Sequence, residues 1–481
     1  MAESLFKTHV DPTKAGFEST LFSLICHDAY ALKARFDAVG KRIDELEQYE
    51  QLRCRITWAT ASKRWLAGEA VTDEIRAMSN QLSQSAQEYA DASSIWRIPT
   101  LANFTNLILL YFVTAYGEIT RSSAHYYLLC ASQHFAQLYP TTESLTNLAT
   151  KRPCWLAYQF VICELCVALE RGKSPLLSAE DCNIFGIDIE PPPFPPTSLL
   201  LPYLSESPAL LIDLGTNRKI MYIYLARNLA NHAARPAESI SVQEDLKILR
   251  STWARLDEHD RWANEVLSLM RSPEAPQSNS TTTIRYAFTY GCLPFLLLEY
   301  SILDHVRRRL DKLTEYSIDY PADPLNFADL ASISSLYTVC RERCQVALIT
   351  CLRNARSRGG LNLLGGAVGS LCSISRFNSF TETLCTASLD GDDMVDRLAS
   401  IAYFLETLYT VQRTYQADLH RSISSISALQ KELQSRTGFE AERALHLYTA
   451  TPPSSNICCL PEPPLIRGAT SLYHAPINRL S

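Results

Sequence analysis

Glycine is scarce in this chain, with 16 residues in 481. Many long stretches hold neither glycine nor proline. Sheet proteins need frequent tight turns, so the shortage favours a mostly helical chain. A basic surplus is missing too. Lysine and arginine total 45 against 51 acids, for a formal net charge of −6. Domains that grip DNA by its phosphates usually carry the opposite balance, and autonomous nucleic-acid binding is not expected. Apolar runs long enough for a membrane are absent. The two strongest, Leu101 to Tyr116 and Cys292 to Leu303, fall short of the ~20 residues a spanning helix needs. Asn103, Thr105 and Asn106 punctuate the first and Glu299 the second, so both read as buried helices. The opening, MAESLFKTHVDPTKAG, has no basic-then-apolar pattern, and secretion is not expected. The fifteen cysteines then read as free thiols of a reducing compartment.

Catalytic signatures are equally thin. The ten histidines form no H-E-x-x-H, and no G-x-S-x-G marks a nucleophile elbow. "RGGLNLLGGAVG", Arg358 to Gly369, is glycine-rich but fits neither phosphate-binding glycine motif and follows no strand, so it reads as a turn between close-packed helices.

What is present is helical periodicity over most of the length, enough for a large core. From Leu32 to Ala92, polar residues alternate with Leu, Ile and Trp at helical spacing. Within this stretch Lys41 to Leu52 reads as an amphipathic surface helix, with a short coiled coil as the alternative. Pro99 precedes the apolar helix Leu101, Phe104, Ile108 and Tyr111, which Gly117 can end. Ser122 or Ser123 can cap a second helix, Ala124 to Leu138, and the stretch from Lys151 makes a third. The proline loop "EPPPFPP", Glu190 to Pro196, resists helix. Pro208 to His232 is another helix. Ser241-Val-Gln-Glu244 is a capping box opening a helix whose Leu246, Leu249, Trp253 and Leu256 share a face. "RSPEAPQSNSTTT", Arg271 to Thr283, is a polar linker. Long helices follow over Ile284 to Leu313 and Leu325 to Arg358. In the latter Ile333, Tyr337, Cys340, Cys344, Ala347 and Cys351 form one stripe. A last helical zone runs from Met394 to about Leu447, and a Pro-rich tail from Thr451 is expected to be disordered. The expected fold is all-α, an irregular multi-helix assembly.

Three local patterns invite chemistry. Cys163-x-x-Cys166 has half the spacing of a zinc site. It lacks the second C-x-x-C or paired histidines such a site needs. Its neighbours, Phe160, Val161, Ile162, Leu165 and Val167, are those of a buried helix, and free cysteine packs as a small hydrophobe. The same holds for Cys340, Cys344 and Cys351. Cys458 and Cys459 in the tail have nothing basic nearby to activate them. "DDMVD", Asp392 to Asp396, has the D-D-x-x-D form with which class I terpene synthases hold magnesium and diphosphate. The second metal motif of that chemistry does not follow downstream. Acids in the first turn of a helix starting near Met394 are favoured by its dipole alone. Arg307-Arg308-Arg309 points in three directions on a helix, makes a poor phosphate grip, and reads as a solvated face. No catalytic, cofactor-binding or metal-binding residue is assigned, and no catalysis is expected.

One resemblance emerges from the middle of the chain. "AHYYLLCASQHFAQLYP", Ala124 to Pro140, has an A-x-x-L-A-like pattern. Lys151, Arg152 and Trp155 then open a helix, with Tyr158 one turn on. "ERGKSPLLSAEDCNIFGIDIEPPP" follows, with Gly172, Pro175, Asp181 and Pro191 in step. The run from Leu101 to Pro193 resembles the fungal-specific transcription factor domain, the middle homology region of fungal zinc-cluster regulators. The order of elements beyond Pro208 is similar as well. Departures are a longer turn at Arg171 to Pro175, Asn183 in place of the second acid, and Pro153 inside the basic-aromatic opening. The zinc-cluster module itself is missing, since only Cys26 and Cys54 precede residue 100.

The resemblance implies a nuclear transcription regulator without cofactor, acting through other regulators or a DNA-binding partner. DNA would be reached only indirectly, and control of a secondary-metabolite gene cluster is the setting it suggests. Homo- or heterodimers and a small-molecule effector fall within that expectation. On this reading 1–95 is an N-terminal helical region, 96–270 the regulatory core, 284–450 its C-terminal part and 451–481 the tail. The alternatives are a terpene synthase-like enzyme using Asp392 to Asp396, or a non-catalytic metabolite-binding or scaffold protein.

Overall fold

The computed structural model describes residues 31–67, 72–114, 121–138, 153–178, 208–235, 241–271, 293–319, 327–357, 374–386, 394–415, 418–441 and 443–445, with Glu3. Among these the chain is about 89% helical and contains no strand, so the protein is all-α. The α-helices are α1 (Gln48–Ala67), α2 (Asp73–Ala92), α3 (Leu101–Thr114), α4 (Arg121–Leu138), α5 (Pro153–Arg171) and α6 (Pro208–Ala233). They continue as α7 (Val242–Arg271), α8 (Leu293–Asp319), α9 (Phe327–Ser357), α10 (Ile374–Cys385), α11 (Met394–Tyr415) and α12 (His420–Thr437). No helix among the described residues is long and apolar enough to cross a membrane.

Local chemistry sets several of the boundaries. The Thr72 hydroxyl accepts from the Ile75 amide at the start of α2, Thr100 does so for Asn103 at α3, and Ser241 for Glu244 at α7. The Glu244 carboxylate of the expected capping box turns outward to Arg235. Proline is compatible with a first helical turn, where its missing N–H costs nothing, and α5 starts at Pro153 itself. Gly438 ends α12 in the left-handed region at φ +66°, with its amide on the Gln434 carbonyl.

Elsewhere the boundaries depart from periodicity. Lys41 to Leu52 forms neither a continuous surface helix nor a coiled coil. Gly40 and Lys41 both take positive φ, a 3₁₀ turn covers Ile43–Glu45, and α1 begins only at Gln48. The second expected helix starts at Arg121, so Ser122 and Ser123 fall inside it. The zone from Met394 divides into α11 and α12, separated at Leu419, which leaves helical backbone geometry at φ −117°, ψ +14°. The proline loop, the polar linker, the glycine cluster, the tail and residues 284–292 lie outside the described residues.

One continuous apolar core runs from Leu32 to Ala444. At one place Phe104, Phe135 and Phe160 bring α3, α4 and α5 together, with ring centroids 5.4–5.9 Å apart. At another, Tyr300 of α8 meets Phe380 of α10 at 4.8 Å, and Phe404 of α11 closes the group against Phe377 and Phe380. Helices α8 and α9 form the most extensive pair. The stripe on α9 faces inward as expected at Ile333, Cys340, Cys344, Ala347 and Cys351, while Tyr337 is half-buried. Helix α1 also packs against α11, so the N-terminal region shares this core with the C-terminal part.

Candidate functional site

Three residues of α8 lie on its faces according to helical spacing: Asp304, Arg307 and Arg308. Positions three and four apart are neighbours on a helix, so the arginines reach back to the same acid. Arg307 donates to Asp304 Oδ1 at 3.0 Å, and Arg308 Nε stands 3.0 Å from Oδ2. The Arg307 guanidinium also forks onto Glu382 of α10, at 3.0 and 3.3 Å. Burial works against its charge, but Asp304 and Glu382 more than offset this and raise its pKa. Arg309 turns the other way and pairs with Asp245 of α7, which also accepts from His232 of α6 at 2.9 Å. The run is therefore only in part the expected solvated face: Arg308 is 40% exposed, while Arg307 and Arg309 are engaged by other helices. The Arg307 side chain is only 4% exposed, and the run ties α8 to α6, α7 and α10. Burying a guanidinium requires a paired carboxylate, and the partners are Asp304 of α8 itself, Glu382 of α10 and Asp245 of α7.

A hydroxyl chain reaches the same acid. Ser379 Oγ lies 2.8 Å from Asp304 Oδ1, Tyr300 Oη 3.1 Å from Ser379 Oγ, and Thr383 Oγ1 2.9 Å from Tyr300 Oη. An ionised carboxylate only accepts, so Ser379 donates to it. Tyr300 then donates to Ser379, and Thr383 to Tyr300. Chains directed in this way polarise one another.

These groups form part of the wall of a cavity of about 640 Å³ between α5, α8, α10 and the start of α12. Arg376 lines it at 5% exposure, donating to the Cys166 carbonyl at 2.9 Å and lying 3.6 Å from Glu170. Ser301, Thr381 and Ser422 are buried in the wall, while Asn378, Asp418 and Arg421 stand at its exposed side. Such a volume lies within the ~300–1,000 Å³ typical of small-molecule sites. The side chains that line it are mostly of polar type, where those of most such sites are apolar.

The sequence motifs sit elsewhere or play other parts. Cys163 and Cys166 are both fully within the core, and burial raises both thiols above their ordinary range. Burial pushes the Cys54 thiol up to about 12. Among the described residues no group of three His, Cys, Asp or Glu side chains is placed to hold a metal. Asp396 is buried at the start of α11, where Arg353 of α9 donates to it through Nε at 2.8 Å. Asp392, Cys458, Cys459, Lys151, Arg152, Asp181 and Pro191 lie outside the described residues, as do the side chains of Trp155 and Tyr158. Gly172 follows α5 at φ +59°, in a turn where Glu164 accepts from the Leu176 amide. Burial lifts the Glu164 carboxyl to about 7, against the opposing pull of that amide and of Arg227. His305, one residue past Asp304, is driven down to about 4 by burial and by Arg308.

Sequence reasoning missed the cavity. The Asp304, Arg307 and Arg308 spacing was legible as a helical ion-pair pattern. Glu170, Arg376 and Ser379 had no signal, since only tertiary packing brings α5 and α10 beside α8. Compared with known proteins, the chain matches no protein-family model, no curated protein and no solved structure.

Proposed function

We propose that this protein is the helical regulatory part of a transcription regulator of the fungal zinc-cluster kind, working in the nucleus through a DNA-bound partner and without catalysis. The observation that carries the reading is the motif order from Leu101 to Pro193. The three helices involved, α3 to α5, pack on one another through Phe104, Phe135 and Phe160. A net charge of −6 suits a protein that reaches DNA through another chain. Control of a secondary-metabolite gene cluster is the setting the resemblance suggests. The terpene synthase-like alternative is weakened by Asp396, which is engaged by Arg353 instead of facing open space.

The test is transcriptional. Fused to an unrelated DNA-binding module, the full chain is expected to change a reporter several-fold, and a tagged chain is expected in the nucleus. A silent reporter together with cytosolic residence under all growth conditions sinks the reading. So does magnesium-dependent turnover of a prenyl diphosphate that Asp392→Ala abolishes.

A further inference from the structure

Glu164 lies in the second half of α5, and its side chain holds the turn that follows that helix. Gly172 opens the turn at φ +59°, and the Lys173 amide donates to the Ala168 carbonyl at 3.0 Å. The chain then passes Glu164, whose Oε1 accepts from the Leu176 amide. Leu177 is buried, and its carbonyl accepts from Arg227 of α6 at 3.0 Å. The turn is thus fastened to α5 by one side chain and to α6 by another. Glu164 is only 2% exposed, and its Oε2 is buried with no hydrogen-bond partner among the described residues. A protonated carboxyl tolerates that position, because it carries no charge. A carboxylate there places negative charge where no water and no donor reaches it, and Arg227 with the turn's amides offsets only part of the cost. The other elements on α5 direct their polar groups elsewhere. Ser301 of α8 and Arg376 of α10 meet Cys166, His305 of α8 meets the Leu169 carbonyl, and Tyr111 of α3 feels Cys163 and Glu170.

We infer that the turn 172–178 is a pH-sensitive latch, shut while Glu164 keeps its proton and released when that proton passes to solvent. Opening the turn brings the carboxylate into water, where it needs no protein donor. The closed state holds the proton and the open state does not, so rising pH favours opening. Burial lifts the closed carboxyl to about 7, and in water it returns toward its ordinary 4.5, so opening gains across that interval and levels off above it. Unfolding of the whole chain behaves differently. It also frees His305, whose opposite slope cancels most of the Glu164 contribution from about pH 4.5 to 6.5. Opening of the turn leaves His305 in place on α8. The inference rests on the packing of α5, the turn and α6, and not on the regulator reading.

Hydrogen exchange on the full chain tests it, read at the Leu176 and Leu177 amides and divided by the intrinsic rate at each pH. Between pH 4.5 and 6.5 the opening constant of the turn is expected to rise on the order of thirtyfold. The buried Leu109 and Leu110 amides of α3 are expected to change less than about threefold, since whole-chain unfolding has the His305 offset. Glu164→Gln keeps an acceptor for Leu176 and cannot ionise, so its turn profile is expected to be flat, with folding checked by circular dichroism. Trypsin gives a second reading on the wild type alone. Cleavage after the exposed Lys173, normalised at each pH to a short peptide substrate, is expected to rise about tenfold between pH 6 and 8. The inference is overturned by a flat wild-type profile in either measurement, by a rise that the α3 amides share, or by a rise that folded Glu164→Gln retains.

Discussion

Two buried titratable residues set opposing pH slopes at the scale of single side chains. Glu164 is raised to about 7, so between its unfolded value near 4.5 and 7 the folded state holds the extra proton. Its contribution to stability falls as pH rises through that window. His305 is lowered to about 4, so between 6.5 and 4 the unfolded state holds the extra proton, and stability falls as pH drops. The two contributions run against each other from about pH 4.5 to 6.5 and largely cancel. Each shift corresponds to on the order of 3 kcal/mol. Glu164→Gln keeps an acceptor for Leu176 and is expected to raise stability above pH 7 while exposing the acid-side loss. His305→Gln is expected to do the reverse, exposing a decline toward alkaline pH. Urea denaturation across pH reads both, and parallel profiles for wild type and Glu164→Gln would reject the first assignment.

Asp304 belongs to the same scale. It anchors Arg307, Arg308 and Ser379 at once. Asp304→Ala leaves the Arg307 charge buried with only the half-exposed Glu382 to pair with, and is expected to cost about 3–5 kcal/mol in denaturant midpoint experiments. Replacing Arg308, which is 40% exposed, is expected to cost under about 1 kcal/mol.

At the scale of elements, helix ends act locally. Gly438 closes α12 at φ +66°, and a Cβ placed there would meet nothing within 4 Å. Any cost of Gly438→Ala is therefore conformational, on the order of 1 kcal/mol. Ser241→Ala removes the hydroxyl that accepts from Glu244 at the start of α7, and about 1 kcal/mol is again expected. Helix α7 packs less extensively against its neighbours than α8 or α9 does. Hydrogen exchange in its first turn should accordingly rise in the serine variant more than elsewhere. Uniform change across the chain would show that the cap does not act locally. The surface helix expected over Lys41 to Leu52 makes the same point. Its spacing allowed a helix, but two positive-φ residues and a 3₁₀ turn redirect the chain before α1.

For the whole molecule, the continuity of the core predicts how damage spreads. Phe160 contacts Phe104 and Phe135, and all three are fully buried. Phe160→Ala is expected to cost about 3–5 kcal/mol, because close-packed rings on three helices relax only partly into the space left. Near-ultraviolet circular dichroism of the three-helix region should weaken, and intrinsic fluorescence unfolding should shift with it. A change below about 1 kcal/mol would mean that this aromatic group is not a real junction.

Composition and periodicity by themselves determined that this is a helical protein. Few glycines, apolar residues every three or four positions, and the hydroxyl cap at Ser241 are local signals, and local hydrogen bonding answers to them directly. The cysteine stripe of α9 was legible for the same reason. Only the tertiary structure decided what the charged residues do. Arg307 and Arg309 look like part of a solvated run in sequence and become ties between helices, because carboxylates arrive from α10 and α7, while Arg308 stays 40% exposed on Asp304 of its own helix. The cavity could not be read at all: its wall comes from four helices, and their polar side chains line one space only once those helices have packed.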